Sequence, residues 1–433
     1  MRYVILGNGV CGMEAALGLR GREADARITV VSDEHDHFFS RPALMYVFCG
    51  QLTLAGTEPY DRGLYDRMGF SRVRERALAV RPSEHVLELR DGMRVTYVRL
   101  LLAVGSRARP APWPGADGPG LHYFVSLRDL EGLDDDARAG MRAVVIGGGL
   151  IGVEVAEVLK RRGLQVTLVV REDWYFPLAL DRAEASLVAE HLGQHGVDVR
   201  LGVNVTSIAR GASGRPSSVR LETSEDVPCD LVVSTIGVVP NTAFLQDSGI
   251  ALSKGGAVEV DAALRTNVAD VWAAGDCANV TWADGSRRPE QLWYTARDQG
   301  RIAARAMLGD EVGYRRGTWY NSAKFFDLEY TTAGWVPVLL NWDNTPLDPG
   351  PEVGYWFQRV PRRFESQRIV CKGERVVGFN MLGGRWNHEL LLEWIDERRS
   401  LDWVLPRLGQ AQFDEELSAR FRLHPGAVQR TGT

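Results

Sequence analysis

Two copies of a strand–glycine–helix pattern, followed by a C-terminal stretch of different character, predict an α/β chain. It has two Rossmann-like dinucleotide-binding domains and a C-terminal α+β domain. The copies centre on Gly7 and Gly147, 140 positions apart. Chance does not readily duplicate a whole strand, GxGxxG turn and helix, so each copy marks a dinucleotide site. A length of 433 residues also asks for two or three cores rather than one.

In the first unit, Val4 to Leu6 form a short apolar run, as in a parallel strand buried on both faces. Gly7 allows the tight turn, Gly9 lets a pyrophosphate approach the backbone, and Gly12 lets the following helix pack against the strand. The phosphates then meet the free N–H groups and positive end of the helix that begins around Ala16, Leu17 and Leu19. Ile28 to Val31 are the second strand. A ribose-binding acid normally ends that strand, but Ser32 stands there, with Asp33 and Glu34 directly after, and the pattern does not choose between the two acids. His35 and His37 read as polar loop residues. Arg41, beside Pro42, is placed to set a fixed guanidinium against a pyrophosphate. Residues 72–104 read as strands of one mixed sheet, turning at Asp91-Gly92 and ending in the buried run Leu100 to Gly105. Pro110, Pro112 and Pro114 mark a crossover linker.

The second unit repeats the design with Ala143 to Ile146, then Gly147, Gly149 and Gly152, and a second strand at Gln165 to Val170. No acid ends that strand. Arg171 follows Val170, which removes the acceptor for a 2′-hydroxyl and offers a cation to a 2′-phosphate. This leans toward NADPH, while Glu172 and Asp173 are close enough to serve NADH. Residues 184–195 read as helix, 197–201 as strand, and 230–237 as a strand entering a glycine turn. Asp270 to Ala278 read as a strand ending on a glycine and an acid at a helix start, where the Asp276 carboxylate suits a polyol chain. Residues 290–308 read as a helix. From about Trp319, aromatics and arginines become dense. Arg368 to Cys371 and Arg375 to Phe379 alternate around Lys372-Gly373-Glu374 as a hairpin, and Glu389 to Glu397 read as helix.

The formal net charge of −5, with no basic block, argues against nucleic acid as a partner. No apolar run is long enough to span a membrane, and the first strand leaves no place for a cleaved signal. The five cysteines, Cys11, Cys49, Cys229, Cys277 and Cys371, form no CxxC pair. Reduced thiols in a cytoplasmic protein are expected, with neither a disulfide framework nor a zinc site, and no H-x-x-x-H or similar ligand cluster is expected.

Together these motifs identify a resemblance. The chain is similar to the FAD-dependent pyridine nucleotide–disulfide oxidoreductase superfamily over residues 1 to about 310. The resemblance rests on the two GxGxxG units, the turns Ala103-Val104-Gly105 and Thr235-Ile236-Gly237, and Ala274-Gly275-Asp276. Ser32-Asp33-Glu34 followed by Ser40-Arg41-Pro42-Ala43-Leu44 looks like the rubredoxin-reductase, ferredoxin-reductase and nitrite-reductase-flavoprotein branch. The resemblance implies an FAD domain in two parts, 1–112 and 236–315, around an NAD(P) domain at 113–235, with a C-terminal interface-like domain at 316–433.

It also implies roles. Gly7, Gly9 and Gly12 hold the FAD pyrophosphate with Arg41 beside it, Ala77 touches adenine, Asp276 binds the ribityl chain, and Asp33, Glu34, Pro42, Ala103 and Gly105 also belong to the FAD site. The helix start at Leu292-Trp293 directs N–H groups at the flavin pyrimidine edge. Gly147, Gly149, Leu150, Ile151, Gly152 and Gly237 belong to NAD(P)H, with Arg171 at its ribose and Glu154 near the nicotinamide.

Two departures stand out. Pro42 occupies the place of the redox cysteine of coenzyme A-disulfide reductases, and Cys49 lies seven residues on. Tyr46 stands where the branch often carries a lysine that pairs with the residue matched by Glu154. The expected activity is hydride transfer from NAD(P)H to flavin. Electrons then pass directly, without a cysteine relay, to an acceptor such as a small iron–sulfur or rubredoxin-like protein. The alternatives are an NAD(P)H oxidase or quinone reductase and, in another class, an NAD(P)H-sensing regulatory flavoprotein. Arg359, Arg362, Arg363 and Arg368 form a candidate dock for an acidic redox partner, although a solvated arginine-rich loop is the favoured reading. A homodimer through the third domain is compatible with the resemblance.

Overall fold

The computed structural model describes residues 1–282, 285–337, 349–360, 362–413, 421–424 and 428–431. Contacts divide the chain into two compact units. The first comprises Met1–Arg109, Val125–Gly132 and Gly237–Arg316, and the second Pro110–Phe124, Leu133–Ile236 and Gly317–Thr433.

The first unit is built on a five-stranded parallel sheet. Its strands lie in the spatial order Val271–Ala273, Arg99–Leu102, Arg2–Leu6, Arg27–Val31, Phe70–Val73. Tyr3, Val4, Ile5 and Leu100 to Leu102 are all buried, because helices on a parallel sheet leave neither face to water. The opening helix Val10–Arg22 packs against the helix Trp293–Met307. Their closest approach needs Gly300, where a Cβ would sit 2.3 Å from the Cys11 carbonyl oxygen. Residues 72–104 do not form the single mixed sheet that their alternation suggested. Ala77–Arg81, Val86–Leu89 and Arg94–Thr96 make a separate antiparallel meander, while Arg99–Leu102 joins the parallel sheet. Alternation gives a strand's faces but not its partner.

The second unit repeats the parallel design in the order Val197–Arg200, Gln165–Val169, Arg142–Ile146, Leu231–Ser234, Leu121–His122. It also holds a six-stranded antiparallel sheet whose central hairpin, Ser366–Lys372 with Arg375–Leu382, turns at Gly373. The helix His388–Asp396 covers this sheet, with Leu391 and Trp394 in its core. That burial accounts for the amphipathic pattern of the helix without a membrane surface. No helix among the described residues is long and apolar enough to cross a membrane.

Candidate functional site: two dinucleotide cradles

The first cradle is set by backbone crowding. Gly7 has φ +124°, and a Cβ there would lie 2.0 Å from the Ala103 carbonyl oxygen. A Cβ on Gly12 would lie 2.0 Å from the Gly7 oxygen. Gly9 differs, since nothing lies within 4 Å of where its Cβ would be. The first intrahelical bond runs from Met13 N–H to the Gly9 carbonyl at 3.0 Å, so the N–H groups of Val10, Cys11 and Gly12 precede the helical ladder. Open backbone beside free N–H groups is the arrangement a pyrophosphate requires.

Around that cradle, Arg41 reaches Glu34 through both guanidinium ends, at 3.0 and 2.6 Å, and donates to the Val125 carbonyl at 2.7 Å. The Leu127 N–H also donates to Glu34, at 2.7 Å. Burial pushes the Glu34 carboxyl up, yet the Arg41 hydrogen bonds and charge outweigh it and hold the group below the usual carboxylate range. Asp33 faces only the looser Arg128, at 3.5 Å among the ion pairs. The turn Ala103–Gly105 ends the strand Arg99–Leu102, with Gly105 at φ +63°. Beside it the Ser106 hydroxyl donates to Asp276 at 2.9 Å. Burial raises the Asp276 carboxyl. Asp276 does not sit at a helix start as its sequence suggested. Gly275-Asp276-Cys277 is a tight turn, closed by Ala278 N–H to the Gly275 carbonyl at 3.0 Å, and it leads into the strand Ala278–Thr281. The Gln299 side chain accepts from the Gly275 N–H at 2.8 Å, fixing that turn to the helix Trp293–Met307. Leu292 caps this helix without a side-chain bond, and the buried Trp293 Nε1 has no partner among the described residues. Ala77 opens the separate antiparallel meander.

The second cradle uses the same crowding. A Cβ on Gly147, at φ +130°, would lie 2.6 Å from the Thr235 oxygen, and one on Gly152 would lie 2.1 Å from the Gly147 oxygen. Gly149 again faces open space. Leu150 and Ile151 form the first turn of the helix Leu150–Arg161. Gly237, at φ +101°, belongs to the first unit, where its carbonyl accepts from the Arg109 N–H. The Tyr175 hydroxyl, on a fully buried side chain, donates to the Gly149 carbonyl at 3.1 Å. Burial, reinforced by the Glu157 carboxylate one turn on, pushes the Glu154 carboxyl up to about 7. Arg171 donates to Glu172 at 2.6 Å and stays more than half exposed.

Three sequence expectations are corrected here. Arg368 does not belong to an exposed arginine cluster. It is 3% exposed and meets Glu184 at 2.8 Å, at the capped start of the helix Arg182–Gln194. Its partner lies 184 residues away in sequence, which local pattern does not reveal. His35 and His37 do have an acidic neighbour, because Glu58 brings its carboxylate to them from another loop. Finally, His191 and His195 form an HxxxH run whose rings meet Asp327.

Fold and cradles together define a flavoprotein that also takes a pyridine nucleotide. Residues 1–300 match the model of the pyridine nucleotide-disulphide oxidoreductase family, and the chain belongs to that family. The 5,5′-dehydrodivanillate O-demethylase ferredoxin reductase subunit of a Sphingobium species is 32% identical over 348 residues, covering 76% of this chain and 81% of that one. Rhodocoxin reductase of Rhodococcus erythropolis is 32% identical, covering 75% and 76%. Rubredoxin-NAD(+) reductase of Pseudomonas putida is 30% identical, covering 64% and 72%. Among solved structures, the reductase in a covalent putidaredoxin reductase–putidaredoxin complex superposes with a TM-score of 0.80 at 22% identity, covering 92% and 93%. An NAD-dependent persulfide reductase from A. fulgidus reaches 0.82 at 24%, covering 93% and 78%. These likenesses establish the fold. The chain is an NAD(P)H-dependent FAD oxidoreductase of the reductase branch.

Proposed function

We propose that this chain takes hydride from NAD(P)H and passes electrons directly, without a cysteine relay, to a small iron–sulfur or rubredoxin-like protein. The observation that supports the reading is the burial of Cys11 and Cys277, the two thiols carried by the first cradle's own segments. Pro42 stands in the relay segment, and Cys49 ends the short helix Leu44–Phe48. Burial pushes the Cys277 thiol up to about 12 and the Cys11 thiol well above its ordinary value, so neither is a ready thiolate. The ferredoxin and rubredoxin reductases among the relatives support the acceptor class.

The residues present fit FAD in the first cradle, where Gly9 leaves open backbone and Trp293 Nε1 lacks a partner among the described residues. FAD held there supplies hydride acceptance and the release of electrons one at a time. The chain's part is to bind and orient. The first-turn N–H groups after Gly7, Gly9 and Gly12 take the pyrophosphate. Arg41, held in place by Glu34, stands beside it. The Asp33–Glu34 pair serves the ribose, Ala77 the adenine, and Asp276 with Ser106 the polyol chain. Ala103 and Gly105 shape the floor. The N–H groups after Leu292 favour negative charge at the pyrimidine edge. In the second cradle, Gly147, Gly149, Leu150, Ile151 and Gly152 serve NAD(P)H, and Glu154 orients the nicotinamide; Gly237, expected to join them, lies in the first unit. Nucleotide preference follows the Arg171–Glu172 pair, with Arg171 tilting it toward the 2′-phosphate of NADPH.

Anaerobic stopped-flow reduction by NADPH and by NADH, followed by mixing with a ferredoxin, a rubredoxin or air-saturated buffer, tests this. The expected result is rapid bleaching of the flavin band and reoxidation by an iron–sulfur protein far faster than by air. Reoxidation by air as fast as by either protein identifies an oxidase instead.

A further inference from the structure

His191 lies in the helix Arg182–Gln194 and His195 caps its end, so a spacing of four puts both rings on one face. Asp327 meets them from the turn between the strands Tyr320–Phe325 and Leu328–Gly334. That turn is held open by Phe326 in the left-handed region, at φ +60°. One oxygen of Asp327, Oδ1, lies 2.9 Å from Nε2 of both histidines. Only His195 is aligned with it as a hydrogen bond. His191 is 7% exposed, and its approaches to Asp327 and to the Phe325 backbone lack the alignment of good hydrogen bonds. Two nitrogens converging on one oxygen, with one imidazole buried and poorly aligned, is a poor hydrogen-bond arrangement but a good ligand set. Ligand atoms at about 2.1 Å from a shared cation are about 3 Å apart at right angles and about 3.4 Å apart in a tetrahedron, so 2.9 Å suits the tetragonal sites of Ni²⁺ and Cu²⁺ most directly. Phe326 stacks on His195 at 4.4 Å and Phe364 lies 5.0 Å from His191, so apolar rings fix both imidazoles. Asp327 is 76% exposed, which leaves the outer coordination positions to water.

We propose that His191, His195 and Asp327 form a binding site for a divalent first-row transition cation of the imidazole-preferring kind, such as Zn²⁺, Ni²⁺ or Cu²⁺. The cation replaces the His195–Asp327 hydrogen bond and releases its proton to solvent. It ties the helix Arg182–Gln194 to the strand hairpin across 132 residues of sequence, a clip that restricts a long loop in the unfolded chain. The cluster of His35, His37 and Glu58 is a weaker competitor. Arg62 already takes both Glu58 oxygens, at 2.9 and 2.8 Å, and Arg72 sits 3.0 Å from His37, so that pocket repels a cation.

The test uses the untagged flavin-loaded protein, stripped with EDTA and titrated calorimetrically with Zn²⁺ and Ni²⁺. One equivalent should bind, and H195Q and D327N should each weaken it at least tenfold, while H37Q leaves it unchanged. Both altered side chains are solvent-accessible, so the fold should tolerate them, and the flavin spectrum checks that it does. The nitrogen hyperfine pattern of bound Cu²⁺ should show two imidazoles in wild type and one in H195Q. Zn²⁺ should raise the Tm of wild type and not of D327N. The proposal is overturned if no stoichiometric binding occurs, if H195Q and D327N bind as wild type does, or if H37Q alone abolishes binding.

Discussion

The two cradles share a backbone and differ in how they treat one carboxylate. Glu14 and Glu154 each stand two residues after the last glycine of the motif. Glu14 receives Arg301 at 2.7 Å and the Tyr60 hydroxyl at 3.3 Å, so its charge is answered within the unit. Glu154 faces burial and the like charge of Glu157, and its carboxyl is pushed up to about 7. The same fold thus locks one acid into structure and leaves the other poised to exchange a proton near neutral pH. The difference comes from the surroundings rather than the motif, and perturbation of this kind is a mark of function.

The strongest way to break the comparison is to block each cradle in turn. In G12V and G152V the new side chain meets a carbonyl about as closely in both units, within 2.0 and 2.1 Å at its Cβ. G12V should purify without its flavin band, with FAD affinity on the order of a hundredfold weaker. G152V should keep FAD and lose reduction by NAD(P)H. Absorbance ratios and stopped-flow traces separate the two, and loss of FAD in both variants would contradict the division of labour.

A smaller effect isolates Glu154. An ionised carboxylate favours the positive charge that develops as the nicotinamide gives up hydride. The rate of flavin reduction should therefore rise with pH through about 7. E154Q should remain flat near the low-pH rate, about tenfold below wild type at pH 8, as for one charge interaction of about 1.4 kcal/mol. Stability should move the other way. The folded pKa is raised, so the protonated form favours the fold and that contribution is lost as pH rises through about 7. E154Q should gain more in Tm over wild type at pH 8 than at pH 5. The equivalent change at Glu14 should instead lower Tm by removing an ion pair, without moving the pH profile of reduction.

Smaller still is the nucleotide choice. R171A should shift the NADPH-to-NADH ratio of kcat/KM about fivefold toward NADH, and E172Q by a similar factor toward NADPH, as expected of an exposed pair. The smallest effect is expected at Arg359, Arg362 and Arg363. Arg359 is loosely paired with Glu190 at 3.9 Å and Arg363 with Glu365 at 3.2 Å, as on a solvated loop. Replacing all three with Gln should change acceptor kcat/KM by less than about twofold at physiological salt. A larger, salt-dependent loss would make them a docking surface.

The cradles were legible in the sequence because the first and last glycine of each motif answer a clash within their own unit, and the strand before and the helix after are local patterns. The hairpin around Gly373 was legible for the same reason. What stayed hidden was the long-range pairing of polar groups. Arg368 finds Glu184, Glu34 finds the Leu127 N–H, and Asp327 comes to the HxxxH pair from another hairpin. Side chains that satisfy one another across the fold carry no spacing signal. The meander Ala77–Thr96 was read as strand but given the wrong sheet, because alternation of apolar residues does not name the neighbouring strand.

The pairing of the opening helix with the helix Trp293–Met307 has a consequence for biosynthesis. The first unit begins the chain, yet its parallel sheet lacks an edge until Val271–Ala273 exists, and its two helices cannot meet at Gly300 before that residue has left the ribosome. The parallel sheet of the second unit has all its strands once Ser234 is made. Another 73 residues separate Ser234 from Met307, roughly 4 to 15 s of translation at about 5–20 residues per second. The sheet in the middle of the chain can therefore close first, while the N-terminal helix waits, with its apolar face uncovered, for a partner made much later. A nascent chain stalled so that Ser234 has emerged from the ribosome and Val271 has not should accordingly protect Arg142–Ser234 from protease and leave Val10–Arg22 open to cleavage.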